Sequence, residues 1–163
     1  HHNNYGGFYA LRPALLSTGK GRTTFRNFTY RDATPQEKDM AAYLMVFHQD
    51  EDHCLHAAIS RDGYTFTALN DGKPIIAGDT IADQKGIRDP HILRGEDGRF
   101  YIVATDMNTA KNGWNENPGI VLLSSDDLLH WKHAKINLSK DYPKHFGDAY
   151  WVWAPQTLSL IHI

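Results

Sequence analysis

The chain has 163 residues, 41% of them hydrophobic and 12% aromatic, which is enough for one core and too little for two comfortable domains. The formal net charge is -2 with the 10 histidines taken as neutral, so the chain lacks the basic surplus that nucleic acid or an anionic membrane surface requires of a partner. A single cysteine, Cys54, excludes an internal disulfide without fixing the compartment. No apolar run approaches the roughly 20 residues that cross a bilayer.

The two ends of the chain carry weak structural signals. Residues 1–39 mix aromatic residues, a turn at Gly19–Gly21 and a weakly alternating stretch, which indicates loops and short strands. The chain begins with His1 and lacks an initiator methionine, which leaves room for a natural start and a signal peptide upstream. The final six residues, LSLIHI, are also the peptide that a transposase adapter of sequencing libraries encodes. We therefore expect residues 158–163 to be an artefact and the natural chain to be cut near Thr157.

From Met40 onward, short apolar segments alternate with turns. Residues 41–48 and 55–60 are apolar runs of strand length, and residues 64–69 alternate after the turn at Asp62-Gly63. Residues 74–77 follow as a short fourth segment. This order predicts one unit of four antiparallel strands over residues 40–78.

A second unit begins with Asp89-Pro90 and a short apolar run. The turn Glu96-Asp97-Gly98 then leads into residues 99–105, a run of aromatic and β-branched residues, which predicts a strand, a tight hairpin and a strand. Proline restricts the residue before it, so we expect Asp89 in an extended conformation at the mouth of the strand. Further strands are predicted in the stretches that follow, at residues 119–124, 129–133 and 135–138.

The two units are similar in sequence. Residues 60–66, SRDGYTF, align with residues 125–131, SDDLLHW, and residues 43–47, YLMVF, align with residues 101–105, YIVAT. A repeat of about 60 residues built from short strands, without a convincing helical stretch, is typical of β-propeller blades. The sequence therefore predicts an all-β fold, an incomplete propeller of about two four-stranded antiparallel blades and part of a third. A β-sandwich, which also has regularly spaced short strands, is the alternative.

Four motifs in this order resemble glycoside hydrolase family 43. They are RDPHI at residues 88–92, EDGRFY at 96–101, SSDDLLHW at 124–131 and WAPQ at 153–156, and the resemblance covers about residues 41–157. It implies a five-bladed propeller that hydrolyses arabinosyl or xylosyl linkages in plant polysaccharides with inversion, and no cofactor is expected. The implied partner is an oligosaccharide or polysaccharide, with no nucleic acid and no membrane. Secretion or a periplasmic location in a bacterium is implied in the same way.

The order of the motifs also implies a role for Asp89. In that family an Asp-Pro at the start of the first blade supplies the general base, and a Trp-Ala-Pro segment opens the second blade. By this resemblance residues 86–138 form the first catalytic blade, residues 150–157 begin the next, and residues 40–78 are the ring-closing blade. A pKa-tuning aspartate and a general acid glutamate belong to the third and fourth blades. They would lie beyond Thr157, so we expect the chain alone to be inactive.

The chemistry of an inverting glycosidase supports this interpretation of Asp89. Such enzymes need two carboxyl groups about 6.5–9.5 Å apart, one to activate water and one to protonate the leaving oxygen. A carboxylate held at the start of a strand, facing an axial funnel, is placed for the first of these roles. The alternative stays open that Asp89 only caps a turn beside a proline.

Seven further residues are candidates for substrate binding: Trp153, Gln156, Asp106, Trp114, His48, Asp50 and Arg88. Tryptophan suits the apolar C–H faces of sugars, although Trp153 and Trp151 lie on the same side of a strand and core packing can explain at least one of them. Gln156 stands where the family often has glutamate. Asp106 and Trp114 occupy a strand end and a loop, where ordinary turn residues also occur. Arg88 either lowers the pKa of Asp89 or points to solvent.

The densest polar cluster is HQDEDHCLH, at residues 48–56. Imidazole and carboxylate groups at short spacing can bind zinc, but a turn between two strands with its polar residues in water is the better interpretation, and we expect no metal. His48 and Asp50 would then face the substrate. Two rival functions remain: a non-catalytic carbohydrate-binding propeller that has lost the acid, and a structural propeller with protein partners.

Overall fold

A computed structural model describes residues 42–158, whose regular structure is mostly β-strand. The strands are β1 (Tyr43–His48), β2 (Leu55–Ser60), β3 (Thr67–Ala68), β4 (Ile87–Arg94), β5 (Phe100–Asp106), β6 (Gly119–Ser125) and β7 (Lys132–Asn137). The α-helices are single turns, α1 (Gly78–Ile81), α2 (Thr109–Asn112), α3 (Leu138–Asp141) and α4 (Pro143–Phe146), and a 3-10 turn lies at Asn70–Gly72. The predicted all-β fold is confirmed.

The strands form two antiparallel sheets in chain order. The N-terminal sheet is β1-β2-β3 and the C-terminal sheet is β4-β5-β6-β7. Each strand pairs with the one that follows it, as the short turns between them require. Neither described sheet closes on itself, and the two are consistent with two blades of a partial propeller.

The sequence repeat corresponds to a structural repeat. Strands β1, β2 and β3 take the places of β5, β6 and β7, and the same turn follows β2 and β6. The Ser60 hydroxyl donates to Asp62 Oδ1 over 2.8 Å, as Ser125 does to Asp127 Oδ1 over 3.1 Å. Each aspartate also accepts the amides two and three residues later. Similar residues therefore build similar local geometry in both sheets.

Some predicted strand bounds are wrong because of these turns. Asp62 and Asp127 accept hydrogen bonds from the amides at the starts of the predicted strands. The predicted segment at residues 64–69 is therefore reduced to β3, Thr67–Ala68. The two predicted segments at residues 129–133 and 135–138 are replaced by one strand, β7. The predicted segment at residues 74–77 contributes a single bridge, between Ile76 and Leu55. The described part of the N-terminal sheet therefore has three strands, not four. Residues 1–39 and the last five residues of the predicted artefact lie outside the described residues.

The core lies between the two sheets. Its buried side chains are Leu55, Ile81, Ala82, Ile87, Ile102, Ala104, Val121 and Leu123. The connection through α1 is tightly packed: a Cβ at Gly78 would lie 2.3 Å from the carbonyl oxygen of His53 and 2.9 Å from Cα of Gly86. That carbonyl accepts the amide of Ile87, the first residue of β4, over 2.8 Å. This packing brings β1 beside β4, and we call the line where they meet the seam.

Candidate active site

Asp89 lies on a bulge of β4 at the seam. Arg88 pairs with Thr105 of β5, and the next paired residue is His91, so Asp89 and Pro90 have no partner on β5. Asp89 has φ of 46°, which corrects the predicted extended conformation. Aspartate tolerates the left-handed region better than most residues, and a bulge must accommodate extra residues. The carboxylate, on a side chain that is 41% exposed, therefore stands clear of the hydrogen-bonded ladder.

His48, the last residue of β1, holds this bulge from the other sheet. The backbone amide of Asp89 donates to His48 Nδ1 over 3.0 Å, and Asp89 Oδ1 lies 3.9 Å from the same nitrogen. A ring nitrogen that accepts a hydrogen bond carries no proton, so in the neutral imidazole the proton is on Nε2. The side chain of His48 is 20% exposed.

Arg88 and Asp50 form the other side of this cluster. The Arg88 guanidinium donates to Asp50 Oδ1, which also lies 3.8 Å from His48 Nε2. This hydrogen bond from Arg88 is the main reason that the pKa of Asp50 is lowered. Because Asp50 is largely exposed, solvent weakens the pair. Asp50 nevertheless remains ionised and cannot donate a proton near neutral pH.

The pKa of His48 is lowered. Burial is the largest cause, followed by the charge of Arg88, while Asp89 and Asp50 act in the opposite direction. The imidazole therefore stays neutral near pH 7, which agrees with its role as acceptor of the Asp89 amide.

An exposed aromatic patch, formed by Trp114, Tyr150, Trp151 and Trp153, adjoins this cluster. The Arg88 guanidinium lies 5.4 Å from the centre of the Trp114 ring, and Trp114 contacts Trp153 edge to face with ring centroids 5.8 Å apart. Trp151 follows at 5.5 Å from Trp153. All four rings are exposed, so core packing does not account for Trp151 or Trp153.

Two hydrogen bonds place the Trp-Ala-Pro segment beside the bulge. The Ala154 amide donates to Thr105 Oγ1 over 3.0 Å, and Thr105 is the strand partner of Arg88. Further along, the Thr157 hydroxyl contacts His91 Nδ1 at 2.8 Å. Gln156 between them is exposed and makes no hydrogen bond to the cluster within residues 42–158. Nothing in the sequence around Thr105 indicated its part in this arrangement.

Asp106 lies apart from the exposed cluster. It is 2% exposed, and its carboxylate accepts the backbone amides of Asp83 and Gln84 over 2.7 and 2.8 Å. Burial raises its pKa, although these two hydrogen bonds oppose the shift. The contacts of Asp106 are those of a residue that fixes the turn before β4.

Asp52, His53 and His56 of the 48–56 cluster have protein partners of their own. His56 Nε2 contacts Asp52 at 2.9 Å, while His53 Nε2 accepts the Thr109 amide over 3.1 Å. In the described part of the chain, no three histidine, cysteine, aspartate or glutamate residues are arranged to hold a metal ion. Sequence spacing alone did not show that His48 and His53 serve different purposes.

A groove of about 640 Å³ lies elsewhere on the C-terminal sheet. Apolar side chains of β4 to β7, together with Thr157 and Leu158, line most of it. None of the residues that contact Asp89 belongs to this groove. The cluster around Asp89 at the seam is therefore separate from this groove.

An all-β partial propeller with an exposed carboxylate and exposed tryptophans at one edge has the features of a glycosidase-like protein. Residues 38–159 match the model of a family described as a probable glycosyl hydrolase domain and related to glycoside hydrolase family 43. The match covers more than half of the chain, which therefore belongs to this family. No curated protein matches it. Residues 42–158 contain no helix with the length and apolar character needed to cross a membrane.

Proposed function

We propose that Asp89 is the general base of a glycoside hydrolase that cleaves arabinosyl or xylosyl linkages with inversion. The observation that carries this proposal is the bulge, which presents an exposed carboxylate with left-handed backbone beside the aromatic patch. Strained backbone of this kind concentrates at functional sites. In this role the Asp89 carboxylate accepts a proton from a water molecule as that water attacks the anomeric carbon.

Trp114 and Trp153 supply the binding surface. Pentose rings present C–H faces to aromatic rings, and these two indoles are 63% and 45% exposed. Their edge-to-face contact offers rings of two orientations within one patch. Arg88 stacks on Trp114 and so connects the binding surface to the residue next to the base.

The general acid is not part of the described cluster. Asp50 is the other carboxylate beside the His48 ring, and its hydrogen bond from Arg88 keeps it ionised. A group that stays ionised cannot protonate the leaving oxygen. We therefore propose that the chain alone does not cleave ordinary glycosides, whose leaving groups need a proton.

An activated substrate tests this proposal, because dinitrophenolate leaves without a proton. We expect the chain to release dinitrophenolate slowly from 2,4-dinitrophenyl β-D-xyloside or α-L-arabinofuranoside, with an inverted sugar as product by proton NMR. Asp89→Asn should lower this rate by about 100-fold or more, the usual contribution of a general base. Glu51→Gln, which removes an exposed carboxylate from the turn after β1, is the matched control.

Two outcomes would change the proposal in different ways. Asp89-dependent cleavage of unactivated xylo- or arabino-oligosaccharides would contradict the absence of an acid while supporting the base. Oligosaccharide binding by the chain, with equal dinitrophenolate release from wild type and Asp89→Asn, would overturn the base and favour a non-catalytic carbohydrate-binding propeller. The observation that favours this second function is the exposed aromatic patch.

A further inference from the structure

We infer that His48 is a positioning residue for Asp89: its Nδ1 accepts the Asp89 amide and so holds the left-handed backbone that presents the carboxylate. This inference rests on the proposed role of Asp89 as the base. His48 and Asp89 are 41 residues apart and belong to different sheets. The N-terminal sheet would therefore contribute to catalysis without supplying a reacting group.

The bulge leaves the Asp89 amide without a partner in the ladder. Asp89 and Pro90 are skipped in the β4–β5 register, and proline has no amide to offer. A left-handed backbone is unfavourable for residues other than glycine and persists only where its surroundings hold it. The hydrogen bond from the Asp89 amide to His48 is such a restraint, at 3.0 Å.

The charged groups around His48 come from three segments. Arg88 and Asp89 face it from β4, Asp50 from the turn after β1, and His53 from the segment before β2. Protonation would place a hydrogen on Nδ1, so that two donors would face each other and the bond from the Asp89 amide would break. The imidazolium would then attract Asp89 Oδ1, 3.9 Å away. The position of the carboxylate would therefore change when His48 is protonated.

His48 variants of the whole chain test the inference. His48→Ala removes the acceptor, whereas the carbonyl of His48→Asn can reach the place of Nδ1 and does not titrate. We expect hydrogen exchange of the Asp89 amide to be about tenfold faster in His48→Ala, the effect of losing one hydrogen bond, and near wild type in His48→Asn. His133→Asn, an exposed histidine of β7, is the control. Equal exchange in all variants would overturn the inference.

Two quantities measured against pH, the Asp89 amide resonance and the rate of dinitrophenolate release, distinguish a positioning role of His48 from a merely structural one. In wild type, the Asp89 amide resonance should shift with the titration of His48, and this step should be absent from His48→Asn. Dinitrophenolate release should lose the same step in that variant and fall at every pH in His48→Ala. If the pH dependence of the Asp89 amide resonance or of dinitrophenolate release were the same in His48→Asn as in wild type, the positioning role would be contradicted.

If a variant fails to fold, the inference can be tested in the wild-type chain by determining the tautomer of His48. Nitrogen-15 NMR at pH 7 should show Nδ1 without a proton, and a proton there would overturn the proposed contact. A further comparison separates the two proposals. If Asp89→Asn slows dinitrophenolate release and His48→Ala has no effect on release or on exchange of the Asp89 amide, the positioning role alone is rejected. If His48→Ala alters exchange of the Asp89 amide and Asp89→Asn leaves dinitrophenolate release unchanged, the role of Asp89 as base alone is rejected.

Discussion

At the scale of single residues, the site is a short chain of contacts across the seam. His48 accepts the Asp89 amide and lies close to Asp50, which accepts from Arg88, and Arg88 stacks on Trp114. His48 and Asp50 are near neighbours in the sequence, but the contacts of His48 with Asp89 and of Asp50 with Arg88 join residues 41 and 38 positions apart. The Asp89 carboxylate, the Arg88 guanidinium and the Trp114 ring therefore lie close together on one surface.

Trp114 tests whether this surface binds sugars. Its side chain is mostly exposed, so Trp114→Ala should cost little stability but remove stacking area. We expect affinity for xylo- or arabino-oligosaccharides to fall by about tenfold, the loss of roughly 1.4 kcal/mol of binding free energy. Isothermal titration calorimetry of each variant with the oligosaccharide measures this affinity. Tyr64→Ala, at a ring that is 86% exposed on the turn after β2, is the control, and equal affinities in both variants would contradict a binding role for Trp114.

At the scale of elements, the repeated turn determines where strands begin. One aspartate oxygen accepts two successive amides, and a serine hydroxyl accepts another, so the backbone turns before the next strand can pair. The amides that Asp62 and Asp127 hold are not available to a ladder. The strands after them therefore start later than their apolar patterns indicate.

Acid should weaken the turn at Asp62. Hydrogen bonds from the amides of Thr65 and Tyr64 lower the pKa of this carboxyl from 3.8 to about 2. A lowered carboxyl pKa contributes stability that is fully present above the unfolded value and is lost as the pH falls through the folded value. We therefore expect Tm to fall between about pH 4 and pH 2 by more in wild type than in Asp62→Asn. Parallel curves of Tm against pH for wild type and Asp62→Asn would show that ionised Asp62 does not contribute to stability.

At the scale of the molecule, the two sheets bury one core, and that core holds the seam together. Leu55 of β2 and Ile87 of β4 are fully buried in it. The backbone hydrogen bond from the Ile87 amide to the His53 carbonyl joins β4 to the segment just before β2. The position of His48 beside Asp89 therefore depends on packing that lies outside the site.

Leu55→Ala should lower the free energy of unfolding by about 2–5 kcal/mol, because it leaves a cavity in this core. Urea unfolding measures the change, and Leu129→Ala, at a side chain that is 79% exposed, should have little effect. We also expect faster exchange of the Asp89 amide in Leu55→Ala, since the seam would loosen. A loss of stability as small as that in Leu129→Ala would show that the sheets do not share this core.

The sequence by itself determined the local structure and the family. The apolar run of β2, the hairpin turn at Glu96-Asp97-Gly98 and the repeated serine-aspartate turn are patterns of neighbouring residues, so they could be recognised without a fold. The order of the motifs likewise predicted the glycosyl hydrolase family that the match over residues 38–159 confirms. Asp89 was selected in the same way, as an aspartate fixed against a proline.

Only the tertiary structure decided what surrounds Asp89. Its left-handed backbone follows from a register shift between two strands, and its partner His48 comes from another sheet. Trp114 and Trp153 meet because the Trp-Ala-Pro segment bonds to Thr105 of β5. The burial of Asp106 could not be predicted from strand alternation, because residues 102–106 of β5 are all buried and alternation there carries no inward or outward signal. Contacts between distant residues depend on how the sheets pack, and local periodicity does not record that packing.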